Sequence, residues 1–203
     1  MKPLAYTSCQ EAIVMFFRAY QYLADWMRQQ NEESKTIEIL NQGYSGISPW
    51  AILEVQEMQK RGMIPQCLSN CNMAAAITRA QMCSIAVLAY EKVTGQEYTP
   101  SGDHFTGADD SDVNAAYELG IVDGYGNGKF GPNDTLTREQ FFKIMANFMK
   151  AIGYPREDSR AVSLGQYKDG SSVATWAQAP ARLMIYIGAV RGDGKNLNPK
   201  NPT

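Results

Sequence analysis

The chain has 203 residues, 44% hydrophobic and 20% charged, with a net charge of −2 and a pI near 5.5. This is the balance of a folded globular protein, not a disordered one, and it offers no basic stripe for nucleic acid. No apolar run approaches the ~20 residues that a membrane-spanning helix needs.

The N-terminal stretch MKPLAYTSCQEA has no apolar segment of signal-peptide type. The expectation is a cytoplasmic protein, or an exported one whose signal lies outside this sequence. The first predicted element is an amphipathic helix over 8–24. Ser8 is its cap, and Glu11 three residues on completes a capping box. Counting from Ser8, offsets 4, 5, 7, 8, 11, 12 and 15 are Ala12, Ile13, Met15, Phe16, Ala19, Tyr20 and Leu23, all apolar. That spacing is one stripe of a helix. Residues 25–46 read as a polar helix extension and linker.

A short helix follows around Trp50, closed by Gly62 and the apolar turn Met63-Ile64. Cys67 and Cys71 then stand in a loop, where they could bridge each other in an oxidising compartment. A second long helix begins at Thr78, boxed by Gln81, with Met82, Cys83, Ile85, Ala86, Ala89, Tyr90 and Val93 at the same offsets and Gly95 at its end. Cys83 on that stripe reads as a buried, inert thiol. Residues SDVNAAYELGIVDG form another short helix ending at Gly120. The loop GYGNGKFGPND then runs to a third long helix, capped by Thr137 and Gln140. Its stripe is Phe141, Phe142, Ile144, Met145, Phe148, Met149 and Ile152, and Gly153 ends it. Finally, ATWAQAPARLMIYIGAVRG places Trp176 as far before Gly188 as Trp50 stands before Gly62, and the loop RGDGKNLNPKNPT follows.

These elements repeat. The unit is a short helix, a glycine turn, a polar loop and a capped long helix, at 47–95 and 105–153, with its first half again at 167–203. The long helix that the last unit lacks is the one at 8–24, as in a circular permutation or a displaced helix. Residues 8–24 are therefore expected to pack beside residues 176–200.

The segment GIVDGYGNGKFGPNDTLTREQ, with ITRAQ and the two S/T-W-A helices, resembles the S-layer homology domain of bacterial surface proteins. The resemblance is strong in the middle unit and moderate in the outer two, and residues 25–46 lie outside it. It implies an all-α fold of three helix-loop-helix repeats in a pseudo-threefold, three-pronged arrangement. It also implies non-covalent anchoring at the cell surface, through secondary cell-wall polysaccharide, often pyruvylated, held in grooves between repeats. The ligand residues it implies are Arg79, Arg138, Trp50, Trp176, Gly124 and Gly192. A pyruvate ketal is a carboxylate on a sugar; an arginine grips it with paired hydrogen bonds, and an aromatic ring receives the sugar face. The structural alternatives are that the tryptophans pack the central bundle and the arginines only decorate helix starts.

Departures limit the match. Cys9 stands where the other long helices carry Arg79 and Arg138, the middle unit has no Trp, and residues 63–76 lack the DGxGxGxF loop. At most two of three grooves carry the full set. A helical protein-interaction or self-assembly module that has lost glycan binding is the alternative.

Catalysis is not expected. GNGKFG satisfies G-x-G-x-x-G, but a dinucleotide loop follows a strand and opens directly into a helix. Here a helix precedes it, and Pro132 to Asp134 separate it from the cap. Position 3 of a calcium loop counted from Asp123 would be Tyr125, and the chain has one His. No cofactor or metal is expected.

Overall fold

The computed structural model describes residues 8–28, 44–154 and 162–200. Its described elements are helices joined by turns and loops, with only isolated β-bridges, so the fold is all-α. The helices are α1 (Cys9–Arg28), α2 (Ile52–Lys60, entered through a 3-10 turn Pro49–Ala51), α3 (Arg79–Thr94), α4 (Ser111–Glu118), α5 (Arg138–Ala151) and α6 (Thr175–Tyr186). Most of the expected linker, residues 29–43, lies outside the described residues, as do residues 201–203.

The long helices start where their caps dictate. Thr78 and Thr137 each accept from the backbone N–H three residues on, while Gln81 and Gln140 accept from the cap's own N–H. Ser8 does the same less tightly: its N–H donates to Glu11 Oε2 at 2.8 Å and its Oγ accepts from Glu11 N at 3.4 Å. Each box satisfies backbone donors that a helix start otherwise leaves open. Residues on all three predicted stripes are buried, except Tyr20, Tyr90, Val93 and Ile152, which are half-buried at the stripe ends. Phe16 of α1 meets Phe148 of α5 with ring centroids 5.0 Å apart, joining two stripes in one core.

Pairing follows chain order: α1 packs on α2, α3 on α4, and α5 on α6. The reason is local: the short helix that follows each long helix is the nearest apolar surface able to cover its flank. Residues 8–24 are expected beside residues 176–200, and within that range α1 faces residues 189–192. Helix α1 lines a cavity together with this turn after α6.

A second set of contacts links successive units in one register. Arg79 N and Ala80 N donate to the carbonyls of Asp134 and Pro132, and Glu139 N donates to that of Pro199. Cys9 N and Gln10 N donate to the carbonyls of Ala75 and Met73. Bridges between Ser8 and Ala76 and between Thr78 and Thr135 keep this spacing. Each long helix therefore starts against the loop leading into another.

Loop GYGNGKFG is a tight turn, not a phosphate cradle. Tyr125 N donates to the Lys129 carbonyl, and Gly126 pairs with Lys129.

Candidate ligand-binding grooves

Two cavities contain the same parts from equivalent places. The larger, about 240 Å³, is lined by Trp50, Arg138, the turn Ala189 to Gly192, and Glu11, Val14, Met15 and Arg18 of α1. The smaller, about 100 Å³, is lined by Trp176, Arg79, the turn Ile121 to Asp123, and Gln140, Lys143, Ile144 and Asn147 of α5. Counted from their caps, Glu11 matches Gln140, Val14 matches Lys143, Met15 matches Ile144 and Arg18 matches Asn147. Helix α1 thus stands toward residues 189–192 as α5 stands toward 121–123.

The structure brings Trp50, Arg138 and Gly192 together in one groove and Trp176 with Arg79 in the other. Both tryptophans are 51% exposed, so neither packs a central bundle.

The arginines differ. Arg79 is 6% exposed, donates from Nε to the Phe130 carbonyl at 2.9 Å and from Nη2 to the Asp123 carbonyl at 2.8 Å. Its guanidinium carbon lies 4.5 Å from the Tyr125 ring centroid and 4.4 Å from that of Phe130, within cation–π range. Arg138 is half-buried and donates from Nε to the Leu197 carbonyl at 3.1 Å, with Phe142 more distant at 5.9 Å. Burial pushes its pKa down, an effect opposed by Glu11, Asp169 and Asp193; a guanidinium keeps its charge through such shifts.

Gly192 lines the larger groove with a left-handed backbone, φ +65°, and a Cβ there would run into the Asn196 carbonyl. Gly124 serves packing: a Cβ would lie 2.5 Å from Phe105 Cε1 and 2.8 Å from the Lys129 carbonyl oxygen. The close approach that requires its glycine is to the protein's own aromatic ring.

The larger groove is also the more cationic, with Arg18 and Arg191 beside Arg138. Arg18 is held by Glu54 at 3.3 Å, and the Glu11 carboxylate is tied to its own helix start. The loop behind it is fixed by two carboxylates. Asp169 accepts from Leu197 N and Asn198 N, each at 2.7 Å. Asp193 accepts from Lys195 N and Asn196 N, which hold its carboxyl below the usual range. Such a loop presents its turn with little to reorganise on binding.

Sequence reasoning missed Glu11, Arg18, Lys143, Asn147 and Arg191. The signal was present in the polar offsets of the long helices, which the apolar stripe obscured.

The third junction has neither part. Cys9 stands at the arginine position, and Ala108 stands as far before Gly120 as each Trp stands before its glycine. All four cysteines are free. Cys83 is fully buried, and burial pushes its thiol pKa up. Cys67 and Cys71, which could bridge each other, are both free thiols here, and the Cys71 sulfur donates to Met73 Sδ at 4.0 Å.

Residues 106–142 match the family model of the S-layer homology domain. The chain is 43% identical over 95 residues to an endoglucanase of Bacillus sp. (strain KSM-635), an overlap of 45% of this chain and 10% of that protein. It is 27% identical over 169 residues to the surface-layer 125 kDa protein of Lysinibacillus sphaericus, covering 78% of this chain and 13% of the relative. With exoglucanase XynX of Acetivibrio thermocellus it shares 30% identity over 98 residues, 48% of this chain and 8% of that one. The chain thus spans about a tenth of the length of these relatives. What it shares with a surface-layer protein and with two glucanases is a segment of anchoring-module kind, and residues 106–142 are an S-layer homology domain match.

Proposed function

We propose that this module holds its protein at the bacterial cell surface by binding secondary cell-wall polysaccharide, with the Trp50–Arg138 groove as its main site. The observation that carries the reading is the repeated constellation: an exposed Trp, an Arg at a long-helix start, a glycine turn and polar helix positions in two cavities. Arg138 supplies a fixed cation for a carboxylate on the sugar, such as a pyruvate ketal, and Trp50 supplies a flat apolar face. Arg18 and Arg191 raise the local positive potential. The smaller groove is a secondary site, because Arg79 already gives two of its donors to backbone carbonyls.

The same constellation supports a threefold arrangement in which α1 takes the part of the third long helix. The surface-layer relative favours a surface location over a cytoplasmic one.

The test is co-sedimentation with purified cell-wall polymer, native or stripped of pyruvyl groups. Binding should require the pyruvyl groups and weaken in Arg138→Ala. Absence of binding to either polymer refutes the anchor reading; equal binding to both refutes the carboxylate assignment.

One observation favours a second reading, a protein-interaction module. Ile52 and Leu53 of α2 are 37% and 76% exposed beside Trp50. Concentration-dependent self-association abolished by Leu53→Glu, with no polymer binding, would support it.

A further inference from the structure

At two junctions an arginine side chain crosses from a long-helix start to the loop leading into another long helix. Arg79 Nε donates to the Phe130 carbonyl, and Arg138 Nε to that of Leu197. The third junction keeps the backbone register. Cys9 N bonds to Ala75 as Arg79 N bonds to Asp134, and Gln10 N bonds to Met73 as Ala80 N bonds to Pro132. Counting back two residues from Met73 and from Pro132 aligns Cys71 with Phe130. The two positions that elsewhere hold the arginine and its acceptor residue therefore both hold cysteines.

We propose that Cys9 and Cys71 form a disulfide when the protein meets an oxidant, a covalent tether in place of the arginine one. The backbone register brings the two segments together, and the thiols act on each other: Cys9 draws the Cys71 pKa down to about 7 and Cys71 pushes that of Cys9 up, with burial adding to the second effect, while Cys71 Sγ donates to Met73 Sδ at 4.0 Å. Cys71 is half-buried, and Cys9 is 2% exposed. Cys71 is thus the thiolate an oxidant reaches, and Cys9 the resolving thiol. With a small-molecule disulfide as oxidant, the Cys71 thiolate attacks one of its sulfurs and expels one thiolate. Cys9 then loses its proton and attacks the Cys71 sulfur, expelling the second. Two protein thiols are oxidised, one small disulfide is reduced to two thiols, and both protons pass to the departing thiolates.

The bond would close a loop from residue 9 to residue 71 and fix α1 to the loop that precedes α3. Long closed loops gain most from such a tether in the chain-entropy account.

The experiment takes the reduced full chain, wild type and Cys67→Ser, into oxidised glutathione at mildly alkaline pH. Thiol titration after denaturation and non-reducing peptide mapping then follow. Cys67 is exposed, so its replacement leaves the fold intact. The expected result is loss of two of the four thiols in wild type, a Cys9–Cys71 linked peptide in both proteins, and a Tm higher by roughly 5 °C or more. A Cys67–Cys71 link, cross-links only between chains, or full retention of thiols while a solvent-exposed control cysteine is oxidised overturns the proposal. Cys71→Ser, a change at a half-buried loop position, should abolish the linked peptide; persistence of the lost thiols in that variant also overturns it.

Discussion

The two grooves share one architecture and spend their arginines differently. Arg79 is buried between Tyr125 and Phe130, with two of its donors closing onto carbonyls of the 123–130 loop. Arg138 gives one donor to Leu197 and lies in a cavity more than twice as large. The residue at position 125 decides much of this. Tyr125 covers the Arg79 guanidinium, whereas its counterpart after Gly192 is Asp193, which turns inward to its own loop. One helix-start arginine can therefore serve as a structural pin or a ligand clamp, according to what the facing loop lays over it.

The largest effect that would break this contrast is on stability. Arg79→Ala leaves two loop carbonyls without their donor and removes a buried stacked cation, and should cost roughly 2–4 kcal/mol. For a chain of this size that lowers Tm by roughly 5–15 °C, measurable by calorimetry. A drop no larger than that of Arg138→Ala would erase the distinction between pin and clamp.

Arg138→Ala should instead act on binding. Losing a charge-assisted pair weakens affinity for the acidic polymer ~10–100-fold, with a stability loss of about 1 kcal/mol. Isothermal titration alongside thermal melts separates the two.

Trp50→Ala and Trp176→Ala should both leave stability within about 1 kcal/mol, since each ring is half in solvent. Binding should fall about 3–10-fold for Trp50 and less for Trp176. Equal losses would place both grooves on the same footing.

The smallest effect concerns a region outside the grooves. Glu118 of α4 accepts from Ser101 N and Oγ and from Tyr98 Oη, and lies 2.6 Å from His104 Nε2. These bonds, Ser101 first, lower its pKa from the ordinary 4.5 to about 2. A depressed carboxyl contributes fully above its unfolded value and loses that contribution as pH falls through the folded one. Glu118→Gln should therefore melt slightly below wild type at neutral pH, and the two curves should converge between pH 4.5 and 2. A gap that persists at pH 2 would mean that the contact acts through packing.

Much of the helical framework was legible because it is local chemistry. A capping box needs only residues three apart, and a stripe needs only the helical period, so the starts of α3 and α5 and their buried faces follow from Thr78-x-x-Gln81 and Thr137-x-x-Gln140. The glycines after the short helices likewise announce their left-handed turns: Gly62, Gly120 and Gly188 have φ of +63°, +68° and +74°. Site chemistry was legible only by residue type. Trp50, Trp176, Arg79 and Arg138 stood out, yet nothing local says that Trp50 shares a groove with Arg138 rather than Arg79, or that Gly124 faces Phe105.

The sequence by itself determined which segments become helices, where each begins and which face it buries, since those depend on neighbours within a turn or two. Tertiary structure alone decided that α1 covers α2, that one arginine is pinned and the other open, and that the segment after Cys71 runs against the start of α1. Those outcomes depend on residues 36 or more apart in the chain (Arg18 on Glu54, Arg79 on Phe130, Arg138 on Leu197), brought together by packing that no local signal encodes.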